Sequence, residues 1–438
     1  MKNKSVYSLL VISITVKVLL AYFIPVFGDE AYYYIWSLHP QLSYFDHPPM
    51  VSWFIYLGHL LFPAGNAISL RAFFIIASLL VSYIWLKILE SKKFDNTAIK
   101  TWLILFLLNP LLGPGSILAT PDVPLVLFWS LSYYCYLKVI TTNQFRWYSL
   151  LGLFLGLGFC SKYHIVIFVL SGLIYLLLSK KIFLLKPQGV VLTILLGALF
   201  SSPVIIWNAQ NEWSSFLFQI NHGFGESSFE WTWPVGYLIA QLVIVNPFIF
   251  YNLFKKSTDF TDKTFTFSQL AFFFTSSFKT VVEGNWPLTS HLHAIAHFSA
   301  LASKQIVKYA IIYWVTIYSL IGLFLFLPIS QPVKKNLVNS SQLSEIFSII
   351  PQYQPLYGPS YQISSLLSWH MQTVIPKLNG LSRHDFYDSL PESIPTTPTF
   401  YVLKYDNSEW PQKYEHYKKI KIRSFDNTSI ALYHFIHD

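Results

Sequence analysis

The chain has 438 residues, of which 53% are hydrophobic and 12% charged, with a formal net charge of +9. Soluble domains carry about 25% charged residues, so this composition excludes an ordinary water-soluble protein and indicates a membrane protein. The positive charge does not indicate a nucleic-acid partner, because the 20 Lys and Arg of residues 1–330, against 12 Asp and Glu, stand mostly in short clusters between apolar runs.

Long apolar runs predict membrane-spanning helices, which need about 20 mostly apolar residues, or fewer when neighbours cover their ends. A break is expected within 147–179, because Gly156, Gly158 and the polar pair Ser161-Lys162 interrupt the apolar run. We therefore expect an α-helical polytopic membrane protein with about eleven spans. The predicted spans are 5–27, 69–89, 98–113, 121–140, 147–160, 163–179, 189–207, 234–254, 266–282, 288–303 and 308–328.

Basic residues between these spans predict their orientation, since cytoplasmic loops carry an excess of Lys and Arg. Pairs such as Lys180-Lys181 and Lys255-Lys256 fall on alternate loops, whereas the loops 28–68, 114–120 and 208–233 contain neither residue type. The pattern predicts a multi-pass membrane protein with a cytoplasmic N-terminus. The C-terminal region is expected on the periplasmic or extracytoplasmic side.

The first outer loop, residues 28–68, places acids among many aromatic residues. Its stretch 48–62 is apolar, but counting it as a span would invert the charge pattern of every later loop. We therefore expect a helix that lies in the outer membrane interface. Residues 32–38 are expected to form a second interfacial helix, with Asp29 as its N-cap.

The composition changes after residue 330, because residues 331–438 hold 10 Lys and Arg and 9 Asp and Glu. Alternating stretches at 399–405 and 429–434 predict β-strands. We expect two domains: a transmembrane domain at 1–330, and a small soluble α+β domain at 331–438 on the outer face.

Three acids are candidates for chemistry. Asp29 and Glu30 stabilise a helix N-terminus by about 0.3–1 kcal/mol, and an interfacial carboxylate can also take a proton from an acceptor hydroxyl or amine. These two interpretations are compatible. Asp122 stands at the outer end of the fourth predicted span, where it either caps that helix or joins Asp29 and Glu30 in a shared acidic site.

Lys and Arg are rare in the half of the predicted transmembrane domain that faces the outer side, so each one there needs an explanation. Lys162, beside the Tyr163 hydroxyl at the expected helix break, is a suitable point-charge partner for a phosphate. Snorkelling to water is the alternative for any such side chain, and we expect it for Arg71 and Lys279. Lys17, inside the first span, is expected to snorkel inward or to pair with an acid.

Several outer turns combine aromatic rings with polar groups. Asp46 and His47 precede two prolines, and considered alone this segment is best explained as a helix cap and turn. Two further outer turns offer weak candidates for sugar or acceptor contacts, although interfacial aromatic anchors would look the same. These candidates are Trp207, Asn208, Glu283, Asn285 and Trp286.

Six motifs follow one another in order. They are Gly28-Asp29-Glu30-Ala31-Tyr32-Tyr33, Tyr44-Phe45-Asp46-His47-Pro48-Pro49-Met50, Thr120-Pro121-Asp122, Ser161-Lys162-Tyr163, Trp207-Asn208 and Asn285-Trp286-Pro287. The ordered set resembles the GT-C class of membrane glycosyltransferases, family 39-like, which includes bacterial relatives of the protein O-mannosyltransferases and the lipid A aminoarabinose transferases. The resemblance covers residues 1–330 well and 331–438 loosely.

This resemblance implies a GT-C-like fold and inverting transfer of a sugar from a polyprenyl-phosphate donor. It also implies a bacterial inner (plasma) membrane location, and the acceptor would be a cell-envelope glycan, a lipid or a protein at the outer face of that membrane. Asp29 is implied as the catalytic base, with Glu30 beside it, and Lys162 is implied to bind the lipid phosphate.

The donor site would also include Tyr163, Asp46 and His47. The aminoarabinose branch has a lysine where this chain has His47, so a phosphate contact there depends on protonation of the imidazole. No cofactor is required, since a lysine can stabilise the leaving phosphate. A divalent ion held by carboxylate oxygens is the second option. Its ligands would be Asp29, Glu30 and Asp122.

A transporter or flippase of lipid-linked sugars is the alternative function. Such proteins commonly show repeated halves with broken helices near the midplane. The sequence has no such repeat, and its candidate acids fall on one predicted face. A purely structural membrane scaffold is disfavoured by the paired interfacial acids.

Overall fold

The computed structural model describes residues 4–63, 65–224, 229–257, 259–326, 343–406, 408–425 and 428–437. These residues divide into two compact units, each formed by several segments of the chain. Unit 1 comprises Met1–Ala21, Leu42–Phe54 and Arg71–Leu323, and unit 2 comprises Tyr22–Gln41, Ile55–Leu70 and Phe324–Asp438. Unit 2 therefore combines most of the first loop with the C-terminal region.

The described chain is predominantly helical. Its α-helices are α1 (Lys4–Phe23), α2 (Gly28–Leu38), α3 (Met50–Leu61), α4 (Ala67–Ser91), α5 (Asn96–Leu108), α6 (Asp122–Thr142), α7 (Phe145–Phe159), α8 (Val166–Leu178), α9 (Pro187–Gln210), α10 (Ser214–Phe224), α11 (Thr232–Val245), α12 (Pro247–Asn252), α13 (Thr261–Ser276), α14 (Leu288–Leu301), α15 (Lys304–Phe326), α16 (Ser344–Ile349) and α17 (Tyr361–Met371). Every predicted span overlaps one of these helices, or two in the case of 234–254.

Five of these helices are long and apolar enough to cross a membrane by length and composition, and further apolar helices have 10–17 residues. The prediction of a polytopic helical membrane protein is confirmed, whereas the count of eleven spans stays a prediction. The expected break within 147–179 is confirmed, because α7 ends at Phe159 and α8 begins at Val166. The stretch 48–62 forms α3, and its interfacial position stays a prediction.

The helix before this break, α7, packs closely on α9. A Cβ atom at Gly152 would lie 2.5 Å from the carbonyl oxygen of Thr193, so only glycine permits this approach. Small residues at such contacts are typical of helix pairs in membranes. At the end of α7 the chain passes directly into the segment that carries Lys162.

A buried polar network joins several helices of unit 1. Asp262 on α13 accepts hydrogen bonds at Oδ1 from the Tyr133 hydroxyl of α6 at 2.8 Å and from Nδ1 of His293 on α14 at 3.0 Å. Its other oxygen pairs with Lys92, which follows α4. Because α6 and α14 each begin beside a predicted site residue, the network helps to fix the elements that carry the site.

Unit 2 contains a four-stranded sheet formed by β1 (Leu356–Tyr357), β2 (Thr399–Tyr405), β3 (Tyr417–Ser424) and β4 (Ile430–His437). Their order is β1-β2-β4-β3, with β1 parallel to β2 and the other two pairs antiparallel. The predicted strand 399–405 is confirmed, and the strand predicted at 429–434 is found at Ile430–His437. Inward-facing side chains from these strands form an aromatic core that includes Phe400, Val402 and Phe435.

The Asp262 network predicts the stability of unit 1. The substitution Asp262→Asn should lower the free energy of unfolding by about 3 kcal/mol, since removing one partner of a buried ion pair leaves the other charge uncompensated. Unfolding in detergent can be followed through the exposure of Cys135 and Cys160, both of which are buried, to a thiol-reactive fluorophore.

Asp259→Asn is the matched control for this variant. Asp259 contacts the same Lys92 at 3.0 Å, but its side chain is 49% exposed. Removing its charge should therefore lower the free energy of unfolding by less than about 1 kcal/mol. Equal unfolding temperatures for the two variants would contradict the importance assigned to the buried network.

Candidate functional site

The centre of the candidate site in unit 1 is an ion pair between Lys162 and Asp122. The Nζ of Lys162 lies 2.8 Å from Oδ1 of Asp122, and the two side chains are only 8% and 11% exposed. The other carboxylate oxygen, Oδ2, accepts a hydrogen bond from Nδ2 of Asn285 at 2.7 Å. The structure thus brings three predicted site residues, from three distant parts of the sequence, into direct contact.

Local sequence explains how the ion pair is presented. Asp122 is the first residue of α6, where a negative charge favours the helix N-terminus. Lys162 occupies the break after α7, in extended backbone conformation before a short 3-10 helix at Tyr163–Ile165. An ammonium group has three N–H donors. Asp122 takes one of them, which leaves capacity for an anionic ligand.

The Asp46-His47 turn lies beside this segment. The backbone N–H of Met50 donates to the carbonyl of Cys160 at 2.9 Å, which fixes the end of the turn two residues from Lys162. Asp46 is buried, and its carbonyl oxygen accepts from Nε2 of Gln219 at 2.6 Å. The turn predicted from the two prolines is therefore part of the surroundings of Lys162.

His164 is a neighbour of this site for which no role was predicted. Its ring lies close enough to Lys162 and His47 to interact with both electrostatically. It also packs against the ring of Trp286, with centroids 5.7 Å apart. Its position directly after the motif Ser161-Lys162-Tyr163 was visible in the sequence, but its proximity to His47 depends on tertiary folding.

The other predicted contacts are distributed as follows. The Tyr163 hydroxyl lies 2.8 Å from Oγ of Ser215. Asn208 is buried, and its amide bonds to backbone groups of Val204 and Phe216, so it holds the start of α10. Its neighbour Trp207 is half-buried, whereas Glu283 is exposed.

Asp29 and Glu30 belong to unit 2, at the start of α2. The prediction that Asp29 is the N-cap of this helix is wrong. The N-cap is Phe27, and Asp29 is the second residue of the helix. The helix begins earlier than expected because Glu30, in its first turn, accepts a hydrogen bond at Oε2 from the Phe27 backbone N–H at 3.2 Å. Glu30 is buried, whereas Asp29 is exposed.

Three other cations test the predictions about lone charges. Arg71 is fully buried and donates from Nη1 to the carbonyl of Ala21 at 2.9 Å, so the prediction that it snorkels is wrong. Lys279 is exposed, as snorkelling requires. Lys17 is buried and neither snorkels nor pairs with an acid. Its ammonium contacts Ser78, the carbonyl of Gly113 at 3.0 Å and Oγ of Ser116 at 2.5 Å.

Among the described residues, no group of three or more His, Cys, Asp or Glu side chains is arranged to hold a metal ion. The predicted ligand set of Asp29, Glu30 and Asp122 stays a prediction. In unit 1, both carboxylate oxygens of Asp122 already have hydrogen-bond donors. The positive charge beside them comes from Lys162.

Sequence comparison finds two similarities. Residues 46–207 match the family model for dolichyl-phosphate-mannose-protein mannosyltransferase. The lipid A galacturonosyltransferase RgtD of Rhizobium johnstonii is 23% identical over 240 residues, which are 52% of this chain and 48% of that protein. The match thus spans about half the length of this curated relative.

Structural comparison extends over nearly the whole chain. The crystal structure of ArnT from Cupriavidus metallidurans bound to undecaprenyl phosphate superposes with a TM-score of 0.69 at 11% identity, covering 99% of this chain and 98% of that one. The apo structure of the same protein gives 0.66 at 12% identity, with 98% of each chain covered. At this identity the likeness shows the fold, and it confirms the expected fold class. Together, these similarities confirm the predicted resemblance to the GT-C class of membrane glycosyltransferases.

Proposed function

We propose that this protein transfers a sugar from a polyprenyl-phosphate donor to an acceptor at the outer face of the bacterial inner membrane. The observation that carries the proposal is the buried Lys162–Asp122 pair, with Asn285 on the second carboxylate oxygen. A buried cation beside the Asp46-His47 turn is suited to a lipid phosphate, and both lie within the segment 46–207 that matches the family model.

The proposed reaction is a single displacement. An acceptor hydroxyl or amine attacks the anomeric carbon, and its proton passes to the carboxylate of Asp29. The bond between the anomeric carbon and the phosphate oxygen breaks, and the polyprenyl phosphate leaves with the bonding electron pair. Lys162 stabilises the negative charge of the leaving phosphate. One displacement inverts the anomeric configuration.

The structure favours Asp29 over Glu30 as the base. Asp29 is exposed and can meet an acceptor, whereas Glu30 is buried and its Oε2 accepts the backbone N–H of Phe27. We therefore assign Glu30 to holding the start of α2. We assign Asp122 to orienting Lys162, since its two oxygens fix the ammonium and Asn285 at once.

The relatives suggest the kinds of donor and acceptor. The curated relative is named for transfer of galacturonic acid to lipid A, and the solved structure with the same fold was bound to undecaprenyl phosphate. We propose an undecaprenyl-phosphate-linked sugar as donor and a lipid of the cell envelope as the first acceptor to test. A glycan or protein would be the next acceptor to test, because the family model describes a protein mannosyltransferase.

Sugar transfer is the direct test of this function. Purified protein in proteoliposomes would receive radiolabelled undecaprenyl-phosphate sugars, namely galacturonic acid, aminoarabinose and mannose, with lipid A as acceptor. We expect label on the acceptor with at least one donor. Movement of donor across the bilayer without acceptor, and without transfer when acceptor is present, would instead support the flippase alternative.

The assignment of Asp29 as the catalytic base predicts a large loss of transfer activity for Asp29→Asn. General-base catalysis contributes about 10²–10⁴-fold, so kcat should fall by at least about 100-fold while donor binding is kept. Glu30→Gln is the matched control on the same helix, because its amide oxygen can still accept the Phe27 N–H, and it should lose only a few-fold. The reverse order of effects would move the base to Glu30.

The phosphate assignment predicts weaker donor binding for Lys162→Met. A hydrogen bond to a charged group contributes about 1.5–3 kcal/mol, so the Kd for undecaprenyl phosphate in detergent should rise by about 10- to 100-fold. Lys279→Met, which removes an exposed cation, should leave the Kd unchanged.

The double variant Lys162→Met/Asp122→Asn separates phosphate binding from an ion pair that only stabilises the fold. It removes the buried carboxylate charge that Lys162→Met leaves uncompensated. If Lys162 binds phosphate, the double variant should bind donor as weakly as Lys162→Met. Wild-type affinity in the double variant would show that the lysine serves only to neutralise Asp122.

A further inference from the structure

We infer that the C-terminal region positions the candidate catalytic helix α2, and that Tyr32 is the positioning residue through which it acts. The observation is a buried hydrogen bond within unit 2, in which the backbone N–H of Phe386 donates to the Tyr32 hydroxyl at 2.8 Å. Tyr32 is 2% exposed, and its ring lies 4.5 Å from that of Tyr361 between centroids. This inference rests on the proposed function, since it concerns the helix that carries Asp29.

A buried charge cluster fixes the segment that holds Tyr32. Lys377 donates from Nζ to Oδ2 of Asp385 at 2.7 Å, to Oδ2 of Asp388 at 2.6 Å and to the carbonyl of Arg383 at 2.8 Å. The side chains of Lys377 and Asp385 are fully buried, and that of Asp388 is 6% exposed. All three N–H donors of the ammonium are therefore used to hold one short stretch of chain.

The two carboxylates also hold the backbone on either side of Phe386. Oδ1 of Asp385 accepts from the Tyr387 N–H at 2.9 Å, and Oδ2 of Asp388 accepts from the N–H of Asp385 at 2.9 Å. The N–H of Phe386, between these two groups, is left pointing at Tyr32. Burial raises the pKa of Asp385, and the nearby Lys377 opposes this shift. Burying these charged groups therefore costs free energy. Their arrangement orients one hydrogen-bond donor, the backbone N–H of Phe386.

The rest of α2 packs tightly on α17. A Cβ atom at Gly28 would lie 3.0 Å from Cβ of Gln362, so the start of α2 lies directly against that helix. Further along, the rings of Tyr34 and Trp369 meet edge to face at 4.9 Å. The helix with the two acids is therefore held along its length by C-terminal residues.

Asp29 and Tyr32 are three residues apart on α2, and residues at this spacing are neighbours on one helical face. A displacement of Tyr32 would therefore move Asp29 as well. Misplacing a catalytic group by about 1 Å can reduce a rate by about 100-fold. The hydrogen bond from Phe386 to Tyr32 therefore affects the position of Asp29 during proton transfer. It does so without any contact with the substrate.

The test is Tyr32→Phe, which removes only the hydroxyl. We expect kcat for sugar transfer to fall about 10-fold, with the donor KM within about twofold of wild type, because the phosphate is assigned to Lys162. Tyr148→Phe is the matched control: its buried hydroxyl likewise accepts a backbone N–H, that of Lys186 at 3.0 Å, but in unit 1. This control should keep wild-type kcat.

A double-variant cycle separates positioning from general loss of structure. If Tyr32 acts through Asp29, adding Tyr32→Phe to Asp29→Asn should produce little further loss. Lys377→Met should lower kcat in the same manner as Tyr32→Phe. Lys404→Met removes another buried lysine of unit 2, whose ammonium donates to the carbonyl of Tyr405, and should not lower kcat. Unfolding temperatures measured alongside identify any variant whose loss comes from unfolding.

The inference fails if Tyr32→Phe and Tyr148→Phe have the same kcat, or if the losses from Tyr32→Phe and Asp29→Asn multiply in the double variant. These outcomes are distinguishable from failure of the proposed function. Full activity of Asp29→Asn would remove the base assignment itself. An inactive Asp29→Asn with a fully active Tyr32→Phe would remove only the positioning role.

Discussion

The ion pair between Lys162 and Asp122 follows from a constraint on which much of this structure depends. A charged group that is removed from water needs hydrogen-bond or ion-pair partners. Both side chains are nearly buried, and their separation of 2.8 Å is that of a strong charge-assisted hydrogen bond. The same constraint produces the Asp262 network in unit 1 and the Lys377 cluster in unit 2. The Lys162–Asp122 pair and the Asp262 network connect elements that are far apart in sequence, whereas the Lys377 cluster holds one short stretch of chain.

This constraint also explains why the candidate site is ordered before a ligand arrives. The second oxygen of Asp122 is taken by Asn285, so the carboxylate has one preferred orientation and presents Lys162 in a fixed place. A preorganised cation stabilises developing negative charge without the cost of reorganising it during the reaction. In unit 2 the acids divide their tasks in a comparable way. Glu30 supports the start of α2, while Asp29 remains exposed.

The sequence predicted the helices well, because a long apolar run has few alternatives to a buried or membrane-spanning helix. It also predicted the break near Lys162 from local residues. It did not predict that Lys162 would pair with Asp122, since the two are 40 positions apart and the pairing depends on how α6 meets the end of α7. Arg71 was misjudged for the same reason: hydropathy gives the depth of a residue, but not the carbonyl of Ala21 that receives its hydrogen bond. The contact between α2 and the C-terminal region was likewise outside the reach of local patterns, because Tyr32 and Phe386 are 354 positions apart.

The proposed function depends most directly on Lys162 as the phosphate-binding residue. The measurement that tests it is a cryo-EM structure of the protein in lipid nanodiscs with undecaprenyl phosphate. We predict a phosphate oxygen about 2.7–2.9 Å from Nζ of Lys162, as expected for a charge-assisted hydrogen bond, with the Asp122 contact retained. A phosphate bound at another cation, with Lys162 still bonded to Asp122 alone, would contradict the account.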